Sequence, residues 1–376
     1  MKRFVALPHK KYPIFIERGV LQQLGSLLTG IWSPRKIAVV SDHHVAPLYQ
    51  ERIVRQLEAA GFRTATFQVP SGESSKSWET AVQLYRSLTN NQFTRSDGVL
   101  ALGGGVVGDL AGFIASTYMR GIAYIQVPTS LLAQVDSSVG GKTAINLDTA
   151  KNIVGTFHQP DAVFIDPDTL QTLPQRYICE GYAEIVKMSA LEGGAFWQMT
   201  GEVHRPEDIV TQAEPLIHQS IAYKTKIVCK DEKESGLRQI LNFGHTIGHA
   251  IELLSEGALA HGEAISIGMV QITQCFANYG LTKHGTLDGL VQRLQQTGLP
   301  LKSSLMSTAD VYRQITNDKK NHGGRLTLVY LEAPVDPPCT QSRSVKLNYF
   351  SRGKRRRTVT DQDRRYRHVI IASARL

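Results

Sequence analysis

The chain has 376 residues, 42% of them hydrophobic and 20% charged, with 32 glycines and 4 cysteines, a composition that excludes collagen, coiled coil and wholesale disorder. Its length exceeds the size at which one hydrophobic core stops growing, so two domains are expected. The formal charge of +9 is confined to the end of the sequence: residues 342–376 hold eleven of the 42 Lys and Arg side chains against Asp361 and Asp363, and the neutral remainder argues against a nucleic-acid partner.

In chain order, the opening Met1-Lys-Arg-Phe-Val-Ala-Leu-Pro8 is broken by Pro8 and followed by Lys10 and Lys11, too short for a signal peptide. Lys36–Asp42, Gly98–Leu102, Ala123–Val127 and Ala162–Asp166 read as buried strands, and Leu48–Ala60 and Ser77–Leu88 between them as amphipathic helices. Apolar strands joined by helices give an α/β fold, a mostly parallel sheet covered on both faces. After Pro174 the pattern turns helical, over Tyr182–Leu191, Pro206–Glu234, Ile240–Leu254, Gly262–Tyr279 and Thr286–Gln296, with one strand at Arg325–Leu331. The expected domains are an α/β nucleotide-binding part over 1–175, an all-helical part over 176–341, and a basic, disordered and dispensable tail over 342–376 whose abrupt start after Pro334 resembles a shifted reading frame. No stretch is apolar enough to span a membrane, and Cys179, Cys229, Cys275 and Cys339 are too scattered for a disulfide framework, so a cytoplasmic protein is expected.

Val99-Leu-Ala-Leu102 leads into Gly103-Gly-Gly-Val-Val-Gly108-Asp109, where Gly103, Gly105 and Gly108 meet the G-x-G-x-x-G spacing between a strand and a helix. Glycine lets a diphosphate approach the backbone, and the helix N-terminus offers it free N–H groups. As a lone match the spacing also suits a tight strand–helix turn. No acidic residue follows at the customary distance, which leaves Asp42, upstream, as the candidate ribose partner.

Asn242-Phe-Gly-His245-Thr-Ile-Gly-His249-Ala-Ile-Glu252 sets two histidines four residues apart on one helix face, and a third, His261, opens His-Gly-Glu263. Glu184 lies in a separate helical segment with Lys187 one turn on. A mixed histidine–carboxylate set suits a catalytic divalent metal, and the lack of a glutamate directly after the first histidine disfavours a zincin-type protease. Arg120, Asp136, Lys142, Lys151, Asn152, Lys187, Lys224, Arg238 and the Lys319-Lys320 pair gather near these motifs, as a polyanionic substrate would require.

Together these segments resemble the 3-dehydroquinate synthases among the sugar phosphate cyclases, through Ser71-Gly-Glu-Ser-Ser-Lys76, Gly103–Phe113, Arg120-Gly121, Pro128–Leu132, Asp136–Lys142, Lys151-Asn152, Glu180–Lys187, Leu241–His249 and His261–Glu263. The resemblance implies an NAD- and metal-dependent carbon–oxygen lyase of the shikimate pathway, converting 3-deoxy-D-arabino-heptulosonate 7-phosphate to 3-dehydroquinate by transient oxidation, phosphate elimination, re-reduction and aldol closure. It implies zinc or cobalt on Glu184, His245 and His261. It implies NAD on Asp42, on Ser71, Gly72, Glu73, Ser74, Ser75 and Lys76, on Gly105, Val106, Val107, Gly108 and Asp109, on Thr129 and Ser130, on Lys142 and Lys151, and on Thr169, Leu170, Gln171 and Thr172. Substrate contacts would be Asp136, Lys142, Asn152, Lys187, Lys224, Arg238, Asn242, His249 and Lys319 or Lys320, with Arg120 reaching across a homodimer. His44 departs from the small polar residue many relatives carry after the aspartate. Two other readings share parts of the pattern: a cyclase for another sugar phosphate, disfavoured by the carboxylate grip of Arg238 and Asn242, and an iron-type glycerol or alcohol dehydrogenase, which has little use for so many anion-gripping residues.

Overall fold

Along Lys36–Asp42 alternate side chains face opposite ways, and both sets are apolar, so the strand has to be covered on both faces. The computed structural model describes residues 2–148, 150–307, 309–316, 325–333 and 369–375. The chain divides into two compact units, Met1–Pro174 with Ala213–Lys233, and Gln175–Gln212 with Glu234–Leu376.

The first unit is built on strands β1 (Lys2–Ala6), β2 (Lys11–Ile16), β3 (Lys36–Asp42), β4 (Arg63–Val69), β5 (Gly98–Gly103), β6 (Ala123–Pro128), the hairpin β7 (Lys142–Leu147) and β8 (Ala150–Phe157), and β9 (Ala162–Ile165). Its helices are α1 (Leu24–Thr29), α2 (Ala46–Ala59), α3 (Trp78–Asn90), α4 (Gly105–Thr117) and, from the later segment, α8 (Ala213–Val228). Seven strands form one sheet in the order β1-β2-β9-β6-β5-β3-β4, parallel except for the β1–β2 pair. Ala38, Val40, Val99 and Ala101 pack on one face with Leu84 and Leu88 of α3 and Leu110 and Ile114 of α4. Ile37, Val39, Leu100 and Leu102 pack on the other with Leu24 and Leu28 of α1 and Ile53 and Leu57 of α2. The hairpin β1–β2, strand β4 and the hairpin β7–β8 had no strand reading in the sequence, because partly exposed runs such as β4, where only Val69 is buried, carry little apolar signal.

Among the described residues the second unit holds α5 (Gln175–Glu192), α6 (Gly194–Gly201), α7 (Pro206–Thr211), α9 (His245–Leu254), α10 (His261–Asn278), α11 (Thr286–Gln296), α12 (Ala309–Thr316) and the antiparallel pair β10 (Arg325–Leu331) and β11 (Val369–Arg375). The stretch Pro206–Glu234, read above as one helix in one domain, is two helices that part at Gln212, with α8 counted in the first unit. The reason is local: Arg3 of β1 donates to the His218 ring of α8 at 2.9 Å, and Leu216, Ile217 and Ile221 are fully buried. Ile240–Leu254 likewise divides into a 3₁₀ turn, Leu237–Asn242, and α9, because Gly244 between them takes φ +78°.

The tail meets the fold at one described segment. Val369-Ile-Ile-Ala372 is a β-branched apolar run, and the strand it belongs to pairs with β10 from Arg325↔Arg375 to Leu331↔Val369. The expectation that everything after residue 341 stands apart from the fold therefore fails for 369–375, while 342–368 lie outside the described residues. No helix of the described residues is long and apolar enough to cross a membrane.

Candidate metal and nucleotide sites

In the first unit, the order β6-β5-β3-β4 means that the chain winds one way from β3 to β4 and the other way from β5 to β6. Open α/β sheets bind ligands at such a reversal, beyond the carboxyl ends of the strands. Asp42 ends β3, and the glycine loop leads from β5 into α4, so both flank it. Asp42 Oδ1 accepts from the backbone N–H of His44 and Val45 and from Ser71 Oγ at 2.8, 3.1 and 3.0 Å, which ties the Ser71–Lys76 turn to the strand end.

Lys76, 4% exposed, donates to Asp109 Oδ2 at 2.7 Å and also pairs with Asn152 Oδ1. Burial lifts the Asp109 carboxyl above its ordinary range, and Lys76 pulls against that shift. Asn146, unnoticed in the sequence, accepts from the Asn152 backbone and donates to Glu73, both at 2.8 Å. Asn152 itself sits at φ +53°, a left-handed conformation that asparagine tolerates better than most residues. Ser74, Lys76, Asn146 and Lys151 line a cleft of about 380 Å³. Thr129 and Ser130 follow β6, while Thr169–Thr172 lie in the 3₁₀ turn Pro167–Thr172, where the Tyr49 hydroxyl meets Thr172. Lys224 on α8 forms an ion pair with Asp136 at 2.9 Å. Arg120 is exposed at φ +66° at the end of the turn after α4.

The second unit gathers Glu184, Lys187, His245, His249 and His261. Glu184 and Lys187 lie one turn apart on α5 and are 0% and 1% exposed. Glu184 Oε2 faces the Lys187 ammonium as an ion pair, whereas Oε1 accepts no hydrogen bond. That bare oxygen points at His245 Nε2 and His261 Nε2, 3.5 and 3.6 Å away. Each imidazole is held from behind. His245 Nδ1 lies 3.1 Å from the Phe243 carbonyl, which can only accept, so Nδ1 carries the hydrogen and Nε2 keeps its lone pair. His261 Nδ1 lies 2.9 Å from Glu252 Oε2.

His249 completes the cluster, its ring centroid 5.1 Å from that of His245 and 5.7 Å from that of His261, and one nitrogen on each of the three rings lies within 4.8 Å of the others. Burial works against a charged His261, but Glu184 and Glu252 on either side more than offset it and push its pKa to about 10. The surroundings favour positive charge, which His261 holds as a proton in the metal-free chain, and a buried carboxylate oxygen without a hydrogen bond facing two imidazole Nε2 atoms suits a divalent ion that would displace that proton.

The helices that carry the cluster meet closely. A Cβ on Gly268 of α10 would stand 2.1 Å from the Gly244 carbonyl oxygen and 2.8 Å from the Gly248 nitrogen, so α9 can approach α10 only where both lack side chains. Arg176 of α5 grips Glu263 with two bonds of 2.8 and 2.7 Å and donates to the Ala258 carbonyl, while Glu263 accepts from the Ala260 N–H at 2.8 Å. The turn entering α10 is therefore fixed on both sides of His261. Arg238, 2% exposed, and Asn242, whose amide meets Glu234, lie in the 3₁₀ turn before α9, and Lys319 and Lys320 lie outside the described residues. Sequence reasoning gave no role to Glu252, Arg176 or Glu234. For Glu252 the signal was present, since a residue three after His249 shares its helix face.

Residues 66–180 match the family described as 3-dehydroquinate synthase N-terminal, and 181–321 match its C-terminal counterpart. The chain is 53% identical over 328 residues to a 3-dehydroquinate synthase of Lactiplantibacillus plantarum, covering 87% of this chain and 91% of that protein. It is 50% identical over 346 residues to one of Leuconostoc citreum, covering 92% and 96%. A solved 2-deoxy-scyllo-inosose synthase, complexed with carbaglucose-6-phosphate, NAD+ and Co2+, superposes with a TM-score of 0.81 at 26% identity over 90% of this chain and 94% of that one.

Proposed function

The chain belongs to the 3-dehydroquinate synthase family, and from that premise we propose that it converts 3-deoxy-D-arabino-heptulosonate 7-phosphate to 3-dehydroquinate and inorganic phosphate, with NAD and one zinc or cobalt ion as cofactors. One observation carries the metal centre: Glu184 Oε1, fully buried, accepts no hydrogen bond and faces two imidazole Nε2 atoms. When bound, NAD would supply reversible hydride transfer, and a metal held by Glu184, His245 and His261 would supply Lewis acidity toward a substrate hydroxyl.

The chain's own residues supply the geometry. Arg238 offers a planar fork that suits the substrate carboxylate, with Asn242 beside it in the same turn. Lys142 would offset the charge of the phosphate through elimination, and Asn152, toward the other end of the β7–β8 hairpin, and His249 would donate hydrogen bonds to it. Lys224 and Lys187, both buried and each already paired with a carboxylate, are held at fixed positions for substrate hydroxyls. Holding these groups in place contributes by orientation, since the substrate's own phosphate can take the proton that must leave.

We also read the protein as a cytoplasmic homodimer in which Arg120 reaches the neighbouring subunit's substrate, with no nucleic-acid or membrane partner. The exposed Met119 and Arg120, the neutral charge of residues 1–341 and the free thiols of Cys179, Cys229 and Cys275 support this part of the reading. A fully active monomer in dilute sedimentation runs would remove it.

The test of function is phosphate release from the heptulosonate phosphate with and without NAD and chelator. Release should stop in excess chelator and return with zinc or cobalt, and turnover that persists unchanged would sink the assignment. Arg238→Ala should weaken substrate binding by about 1.5–3 kcal/mol, the loss expected for charge-assisted bonds. NAD affinity should barely change. Equal losses of both affinities in calorimetry would contradict the carboxylate role.

A further inference from the structure

Glu252 is the one acidic side chain of α9, and it stands on the helix face that already bears His245 and His249, at positions i, i+4 and i+7. Its Oε2 lies 2.9 Å from His261 Nδ1, and the Glu252 side chain is 15% exposed. An ionised carboxylate can only accept, so the shared hydrogen belongs to Nδ1, and Nε2, the atom 3.6 Å from Glu184 Oε1, is left as the nitrogen that would face a metal. His245 obtains the same tautomer from a backbone carbonyl, which no substitution can remove. His261 depends on a side chain.

His261 is also the first residue of α10, where the ring has no preceding turn of its own helix to lean on. Arg176 and Glu263 fix the backbone on either side, with hydrogen bonds to each other, to the Ala258 carbonyl and to the Ala260 N–H rather than to the imidazole. We infer that Glu252 is a positioning residue for the metal centre: it sets the tautomer and the plane of His261 and raises the basicity of Nε2. A histidine ligand whose other nitrogen donates to a carboxylate is a better donor, and losing that partner typically costs 10- to 100-fold in metal affinity.

The inference rests on Glu184, His245 and His261 being the ligands, and the experiment separates the two. The full-length chain, dialysed against chelator, is titrated with cobalt(II), reading the visible d–d absorption, with competing zinc to obtain affinities. Wild type should bind one equivalent, Glu252→Ala should bind about 10- to 100-fold more weakly, and Glu252→Gln should fall between, since an amide oxygen still accepts from Nδ1 without the charge. NAD affinity should stay at its wild-type value, which a general loss of packing would not leave unmoved, while the metal-free melting temperature should fall modestly because His261 loses its carboxylate partner. If wild type takes up no cobalt, the ligand assignment fails and takes this inference with it. If wild type binds and Glu252→Ala binds within about twofold of it with the same spectrum, the ligands stand and Glu252 has no such role. Should Glu252→Ala fail to fold, Glu252→Gln decides alone: weaker cobalt binding at wild-type NAD affinity supports the role, and equal binding overturns it.

Discussion

Glu184→Gln is expected to lower divalent-ion affinity by more than the hundredfold or so that loss of an outer-shell partner can cost, and to abolish phosphate release with it. The amide keeps the shape of the side chain but brings no charge to face two imidazoles. The same substitution leaves Lys187, 1% exposed, without the carboxylate it pairs with. Removing one partner of a buried pair typically costs about 3–5 kcal/mol, because the other charge stays buried. The melting temperature of the metal-free chain should therefore fall as well. Adding Lys187→Met should recover most of the stability and none of the metal binding, since apolar replacement of a whole buried pair is often neutral or better. If the single variant retained wild-type zinc content after dialysis, measured by mass spectrometry, Glu184 would not be a ligand.

Gly268→Ala is expected to be nearly as damaging from a position that touches no ligand. One methyl group would meet a carbonyl oxygen at 2.1 Å and a backbone nitrogen at 2.8 Å, and backbone atoms of two packed helices have no rotamer by which to yield. Overpacking of this kind costs typically about 1–3 kcal/mol and can cost more. Because the clash lies between α9 and α10, relief by separation would move His245 away from His261. Scanning calorimetry should show a lower melting temperature, and cobalt titration a weaker site. Gly30→Ala is the control, since its Cβ would find only ordinary contact at 3.5 Å. A Gly268→Ala chain with normal melting and normal cobalt affinity would mean that the two helices are not packed as described.

The parallel strands were legible because they are buried on both faces and read as unbroken apolar runs, as Gly98–Gly103 does with every residue buried. The glycine loop and the His245, His249, His261 set were legible because each is compact in sequence. What stayed hidden depended on distance. Glu184 lies about sixty residues before His245, and the spacing within α5 says only that Lys187 shares its face. The family pattern joined them, and the bare Oε1 gives that joining a physical reason. Asn146 and Arg176 act on backbone or on other polar side chains across long loops, and no local pattern marks such partners. The strand Val369–Arg375 was hidden by its surroundings: the arginines before it made the whole tail read as one basic segment.

The return of α8 to the first unit bears on how the protein is made. Residues 1–174 complete every strand of the seven-stranded sheet, yet the helix that covers the β1–β2 end belongs to residues 213–228. At roughly 5–20 residues per second, the ribosome adds the intervening stretch in about two to eight seconds. During that interval the nascent sheet carries an uncovered apolar flank, with α5, α6 and α7 emerging before its cover arrives. A synthesis arrest in this window would release a chain that is nearly complete in its strands and open to chaperones or to other nascent sheets. The same threading means that a fragment cut at Pro174 is not a domain in the biosynthetic sense, and expressing 1–233 is the shorter route to a first unit that folds.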